Sequence, residues 1–213
     1  MGSFAQNFNY LNKITPPGRE ANDRFGLAVG LSGNYAIIGA ADSDTDSAGA
    51  NYSSSAGNAF LWERNPSNGA WGFVKKLSPS GTNSRASNDY MGISVGISGD
   101  YCIVGSRDHD YDSNGANYLN AAGAAFIWER NNAGAWTQVK KLTVPDRGNS
   151  NDQFGVSVAI DGNYAIVGAH FQDTDSAGGD AKSGAGAAYI YERVNGTWGF
   201  TKKLDIVYAS SVP

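Results

Sequence analysis

Hydrophobic and polar residues alternate in a pattern that recurs three times along the chain. The first phrase of each copy reads "NDRFGLAVGL", "NDYMGISVGI" and "NDQFGVSVAI", at residues 22–31, 88–97 and 151–160. Large apolar residues occupy every second position in the second half of each phrase, and Gly, Ala or Ser lies between them. A period of two is typical of a strand that buries one face. Each phrase therefore predicts a first strand.

Three further phrases follow in the same order in each copy. A short turn leads to "GNYAIIGA", "GDYCIVGS" and "GNYAIVGA", which begin at residues 33, 99 and 162 and predict a strand buried on both faces. The third strands are "NAFLWER", "AAFIWER" and "AAYIYER". The fourth are "WGFVKKL", "WTQVKKL" and "WGFTKKL", whose paired lysines suit an exposed edge. The repeated unit is predicted to be a four-stranded antiparallel meander.

The meander also predicts where the variable loops lie. Successive connections alternate between the two ends of the strands, so the second-to-third loops share one end with the connections between repeats. These loops, at residues 41–56, 107–122 and 170–185, are long, polar and different from one another. Binding sites commonly lie in such loops on a rigid scaffold. We therefore place the functional face at this end.

Short motifs within the phrases resemble a known repeat family. Phe-Gly at residues 25–26 and 154–155 (Met-Gly at 91–92), followed by Gly-Ala at 39–40 and 168–169, resembles the FG-GAP repeat. The resemblance implies an all-β fold of β-propeller blades, as in the heads of integrin α-chains. It also implies a non-catalytic recognition or adhesion module, extracellular or at the cell surface. A β-trefoil or β-prism is the alternative fold.

The phrases divide the chain into blades at residues 15–77, 78–142 and 143–204, with a C-terminal tail at 205–213. Residues 1–14 open with "MGS", typical of an expression-tag remnant, and "FNYLNKI" (8–14) aligns with the fourth strand as a surplus copy. Propellers close with roughly 4–8 blades. Three blades and a surplus strand therefore predict a homo-oligomer, with a dimer giving a six-bladed ring. The alternative is an excised piece of a longer propeller that pairs through its open ends.

Acidic residues alternate in two of the long loops, "DSDTDSAG" and "DHDYDSNG", and less completely in the third, "FQDTDSAGGD". Alternate carboxylates on a turning loop are one way to collect hard oxygens around Ca²⁺. The candidate ligands are Asp42, Asp44, Asp46, Asp108, Asp110, Asp112, Asp173 and Asp175. The alternative is that these side chains form turns by hydrogen bonding to the backbone. The integrin calcium loop lies between the first two strands of a blade, where this chain has only a short turn.

Aromatic residues give two candidate roles. Trp71, Trp136 and Trp198 begin the fourth strands, and their recurrence indicates packing between blades. The alternative is sugar stacking, as in propeller lectins, for which a carbohydrate would be the ligand. The loop tyrosines Tyr52, Tyr111 and Tyr118 are the candidate ligand contacts on the loop face.

Charge and motifs exclude several other classes. A net charge of −4 provides no basic surface for nucleic acid, and no apolar run approaches the roughly 20 residues of a membrane span. Ser94 matches the G-x-S-x-G elbow by letters only, because it lies within a predicted strand rather than before a helix. His109 and His170 lack the ligand spacing of a zinc site. No acid, base and nucleophile recur together, so we predict that the chain is not an enzyme.

Overall fold

The computed structural model of the chain describes residues 13–145, 149–174 and 182–205. Within these ranges the regular structure consists of β-strands in three four-stranded antiparallel sheets. Each sheet is one meander, so the strand order in space follows the order along the chain. None of the described segments is a helix long and apolar enough to cross a membrane.

The twelve strands follow the predicted phrases closely. Blade 1 contains β1 Val29–Ser32, β2 Tyr35–Ala40, β3 Asn58–Arg64 and β4 Trp71–Leu77. Blade 2 contains β5 Met91–Ser98, β6 Tyr101–Ser106, β7 Ala124–Arg130 and β8 Trp136–Leu142. Blade 3 contains β9 Phe154–Asp161, β10 Tyr164–Ala169, β11 Ala187–Val194 and β12 Thr197–Asp205. Each repeat forms its own sheet, as propeller blades do, and the trefoil and prism alternatives are set aside.

The blades pack face to face through their first two strands. Ile37 of β2 and Ile97 of β5 belong to one buried cluster, and Ile103 of β6 and Ile160 of β9 belong to the next. An aromatic pair also lies at each junction. At the first, Tyr35 packs edge-on against Trp136 with ring centroids 5.8 Å apart, and at the second Tyr101 packs in the same way against Trp198. Trp136 and Trp198 therefore pack between blades, as the sequence predicted. Trp71 packs only against residues of its own blade, because the described residues contain no blade before blade 1.

Two predictions about buried faces fail at the ends of the array. The first strand was expected to bury its large residues, but Leu31 in β1 is 72% exposed, whereas the equivalent Ile97 and Ile160 are each 8% exposed. The second strand was expected to be buried on both faces, but Tyr164 and Ile166 in β10 are exposed. The reason is the same in both places, because no further blade covers these two faces among the described residues.

The paired lysines also differ from the prediction of an exposed edge. The second lysine of each pair folds back over an aromatic ring of the third strand, and Lys141 and Lys203 are only 7% exposed. Their ammonium groups lie 5.9 and 5.5 Å from the ring centroids of Phe126 and Tyr189. Cation–π attraction and packing of the lysine stems therefore hold the fourth strand.

Parts of the predicted domain scheme lie outside the described residues. The surplus strand at residues 1–14 is described only at Lys13 and Ile14, and the tail at 205–213 only at Asp205. Their assignments stay predictions.

Candidate functional site

The long loops after β2 and β6 fold into the same compact shape. Each contains a short antiparallel bridge, Thr45 with Tyr52 in blade 1 and Tyr111 with Tyr118 in blade 2. The segment beyond the bridge reverses direction over six residues. In the part of the loop face that the structure describes, two equivalent tips therefore lie on neighbouring blades.

Asp46 and Asp112 hold these tips together. The Asp112 carboxylate accepts hydrogen bonds from the amides of Asn114 and Ala116, at 3.0 and 2.9 Å, and from the Asn117 side chain. Asp46 accepts the equivalent bonds from Ala48, Ala50 and Asn51. The backbone bonds, from Ala116 and Ala50 above all, lower the pKa of each carboxyl to about 2. Both groups therefore carry a negative charge that the loop's own donors stabilise.

The aspartate two residues earlier in each loop binds the backbone near the C-terminal end of the same loop. Asp44 accepts a bond from the amide of Ser55 at 2.7 Å, and Asp110 accepts one from Ala121 at 2.8 Å. In blade 3, Asp173 accepts the equivalent bond from Gly184 at 2.7 Å. This recurrence shows that the alternating acids have a structural role in all three blades.

The first aspartates are paired with cations or amides. Asp42 pairs with Arg24. Asp108 accepts a bond from the Arg107 guanidinium at 3.3 Å and one from the Gln153 amide at 2.7 Å. Across the described ranges there is no group of three or more His, Cys, Asp or Glu side chains arranged to hold a metal ion. Asp175 lies outside the described residues, so the calcium assignment stays a prediction.

Sequence reasoning missed a buried pair beneath the second loop. His109 is fully buried, and its Nδ1 lies 3.0 Å from Oδ2 of Asp89, which is 2% exposed. Asp89 also accepts a bond from the amide of Ala86 at 2.7 Å and so closes the connection between blades 1 and 2. The signal was present in the sequence, because this aspartate recurs in the "ND" that opens every repeat.

Arg85 was also missed, and it joins the connection between blades to the first loop. Its guanidinium donates to the carbonyl of Asp44 at 2.7 Å and to that of Asn51 at 3.2 Å. Burial lowers the pKa of this guanidinium from its usual value. The loop tip of blade 1 is thereby fixed against the neighbouring connection.

The three candidate tyrosines differ in exposure. Tyr52 is 69% exposed and Tyr118 is 60% exposed, and they occupy equivalent positions in the two loops. Tyr111 is half-buried and lies edge-on to Tyr118, with ring centroids 5.5 Å apart. The structure thus presents two tyrosines to solvent and uses the third to support one of them.

Two of the three recurring tryptophans are not available to a ligand. Trp136 and Trp198 are 1% and 3% exposed, so sugar stacking on these two rings is excluded by burial. A groove of 350 Å³ does lie between blades 2 and 3, and its lining includes Asp112, Lys140 and the 46% exposed Phe200. This groove therefore places an accessible aromatic ring next to polar groups.

Ser94 lies in the middle of β5, as predicted from the alternation around it. Its hydroxyl donates to the carbonyl of Gly155 in blade 3 at 2.7 Å. The serine therefore joins two blades and is not placed as a nucleophile on a strand-to-helix turn.

Comparison with known families agrees with these blades. The FG-GAP repeat profile matches three segments, residues 8–61, 71–127 and 136–191. The chain belongs to the FG-GAP repeat family. The second and third matches begin at Trp71 and Trp136, the first residues of β4 and β8. An FG-GAP unit in this chain thus starts with the last strand of one blade and continues through three strands of the next.

One solved structure that the chain resembles is a hypothetical selenium-binding protein from Sulfolobus tokodaii. The two share 9% sequence identity with a TM-score of 0.41, over 81% of this chain and 38% of that protein. This FG-GAP chain therefore spans well under half the length of that structure. No curated protein sequence matches the chain significantly.

Proposed function

We propose that this chain is a non-catalytic recognition module that binds a protein partner or surface through its long-loop face. The observation that carries the proposal is the pair of solvent-exposed tyrosines, Tyr52 and Tyr118, at equivalent positions on two rigid loops. Tyrosine provides a large amphipathic contact area at a low cost in side-chain entropy, and it is enriched in protein interfaces. The loops around them are rich in Ser, Asn and Gly, which add adaptable hydrogen bonding.

The rigidity of the loops supports binding. Asp46 and Asp112 organise the tips, and Arg85 fixes the first loop to the connection between blades. A surface that is already ordered loses less conformational entropy when it binds. With the family's propeller architecture, these features favour an extracellular or cell-surface binding protein.

Affinity capture from surface and secreted fractions of the source organism tests the proposal. We expect a protein that the wild-type chain retains and that Tyr52→Ala/Tyr118→Ala loses, with affinity reduced about tenfold or more. Val194→Ala is the matched control, because Val194 is 55% exposed at the turn that joins β11 to β12, away from the loop tips. Retention that is the same for the double variant and the wild type would contradict the proposal.

Carbohydrate binding is the second candidate, favoured by the groove between blades 2 and 3. Phe200 offers an exposed ring for stacking, and Asp112 and Lys140 offer polar contacts to hydroxyl groups. A glycan array with the wild type and Phe200→Ala tests it. Glycan signals that disappear in the variant support a lectin, whereas an array without hits, with and without Ca²⁺, removes this candidate.

Weak calcium binding by the acidic loops stays part of the proposal. A cation that binds the folded state raises the melting temperature by mass action. We expect millimolar Ca²⁺ to raise the melting temperature of the chelator-stripped protein and Asp44→Asn/Asp110→Asn to reduce that rise. Calorimetric titration without heat and without a thermal shift would leave only the turn-forming role.

A further inference from the structure

Within the described residues, the three-blade array has an open face at each end. At the blade 1 end, Leu27, Val29 and Leu31 are 43%, 70% and 72% exposed. Their equivalents in blades 2 and 3 are covered by the preceding blade, down to 8% exposure for Ile97 and Ile160. The blade 1 face is therefore an apolar surface of the kind that elsewhere in this molecule receives another blade.

The opposite face lies on blade 3. Ile166 is 38% exposed, whereas its equivalents Ile37 and Ile103 are fully buried against the following blade. Tyr164 is 54% exposed at the position of Tyr35 and Tyr101. This face is of the type that elsewhere docks on a first strand.

Aromatic and cationic partners repeat at both internal junctions. Tyr35 meets Trp136 and lies 4.9 Å from the Arg130 guanidinium. Tyr101 meets Trp198, with centroids 5.9 Å apart, and lies 4.8 Å from the Arg193 guanidinium. At the open ends the same set is divided, with Tyr164 on blade 3 and Arg64 and Trp71 on blade 1.

Backbone hydrogen bonds repeat in the same way. At the first junction the amides of Asn88, Tyr90 and Met91 donate to the carbonyls of Ser54, Ser55 and Ala56 at 2.8, 3.0 and 3.0 Å. At the second junction the amides of Asn151, Gln153 and Phe154 donate to the carbonyls of Asn120, Ala121 and Ala122 at 2.8, 3.1 and 3.0 Å.

The equivalent groups at the open ends are three amides on blade 1 and three carbonyls on blade 3. The amides belong to Asn22, Arg24 and Phe25, and the carbonyls to Ser183, Gly184 and Ala185. Among the described residues, the junction bonds have no counterpart for either set. One end thus offers the donors that match the acceptors of the other.

We propose that the blade 3 face of one copy docks on the blade 1 face of a second copy, and that two such contacts close a six-bladed ring. The occupant is a second copy because this chain's own opposite end carries the aromatic, cationic and backbone partners that meet each face at the two internal junctions. A head-to-tail contact that closes after two copies gives cyclic symmetry. Six blades fall within the usual range of roughly 4–8 for a closed propeller.

Light scattering after gel filtration measures the assembly. We expect the wild type at twice the chain mass of 22.4 kDa. Leu31→Glu and Ile166→Glu each place a charge on one open face and are expected to run as single chains. Val139→Glu is the control, because Val139 is 41% exposed on β8 and lies on neither face. A wild type that stays a single chain at all concentrations, or that grows into open-ended assemblies, would overturn the ring.

Cysteine pairs test the head-to-tail direction. At the second junction the Ser98 hydroxyl lies 3.3 Å from Oδ1 of Asp161. The equivalent contact in the ring joins Asp161 of one copy to Ser32 of the other. Native Cys102 is fully buried, and burial raises the pKa of its thiol, so it does not compete.

Mild oxidation of mixed Ser32→Cys and Asp161→Cys proteins is expected to give a cross-linked dimer on a non-reducing gel. Neither variant alone is expected to cross-link, because like ends do not meet in the ring. Cross-linking of Ser32→Cys with itself would show a head-to-head contact and overturn the proposal. A mixture that stays uncross-linked would do the same.

Discussion

At the residue scale, the acidic loops show how a short polar side chain shapes a long connection. The Asp112 carboxylate accepts hydrogen bonds from two backbone amides and one side-chain amide, which would otherwise have to donate to solvent. Asp46 repeats this arrangement one blade earlier. The same sequence feature that suggested calcium ligands therefore builds the tips that carry Tyr52 and Tyr118.

We expect Asp112→Ala to lower the free energy of unfolding by about 1–2 kcal/mol at pH 7, because charged hydrogen bonds are lost. The pKa of Asp112 is about 2 in the folded chain and near 3.9 when unfolded. Its contribution is therefore complete above about pH 4 and is lost as the pH falls toward 2.

Denaturant titrations at pH 7, 4 and 2 measure this contribution. The difference between wild type and Asp112→Ala is expected to shrink as the pH falls. Ser113→Ala, at the exposed neighbouring position, is the control. A difference that is constant with pH would show that the carboxylate charge is not responsible.

At the element scale, glycines allow adjacent blades to approach closely. Gly123 has φ 86° next to the backbone of the following blade, and an added Cβ would lie 2.0 Å from the carbonyl oxygen of Phe154. Gly57 is in the same position at the first junction, with an added Cβ 2.0 Å from the Met91 oxygen. Backbone atoms cannot move aside as a flexible side chain can.

We expect Gly123→Ala to destabilise the protein clearly more than Gly134→Ala. Both residues have a positive φ, but Gly134 lies in an open turn with nothing near its missing Cβ. The left-handed conformation alone costs about 1–2 kcal/mol, which both variants share. Thermal and denaturant unfolding of both variants measures the additional clash, and equal losses would contradict the close-approach argument.

At the scale of the whole molecule, burial is unequal among the blades. Blade 2 has a neighbour on both faces, and Ile103, Val104 and Phe126 in its central strands are fully buried. Blades 1 and 3 each have one open face. Repeat arrays derive much of their stability from contacts between neighbours, so the end blades depend on whatever covers them.

Hydrogen exchange on Leu31→Glu, the variant designed to open the proposed ring, tests this hierarchy. The amides of β6 and β7 are expected to exchange slowest, and those of β1 and β10 roughly tenfold or more faster than in the wild type. Val139→Glu provides the comparison for a charge that lies on neither open face. Equal acceleration in all three blades would contradict the dependence on covered faces.

The sequence by itself determined the three meanders, their strand phrases and the end at which the long loops lie. These features depend on local period, turn residues and repetition, so β6 and β7 were predictable from residues 99–130 alone. It also predicted that Trp136 and Trp198 pack between blades, because recurrence at one position per repeat reflects a shared neighbour.

Only the tertiary structure decided which partners the polar side chains take and which apolar faces stay open. Lys141 lies over Phe126, and Asp89 contacts His109. The residues of each pair lie on different segments of the chain, so the pairing itself is set only when those segments pack together. Leu31 and Ile97 have the same alternation around them, yet one is exposed and the other is buried. Burial depends on whether another blade lies against the strand, and that is a property of the assembled array rather than of the strand.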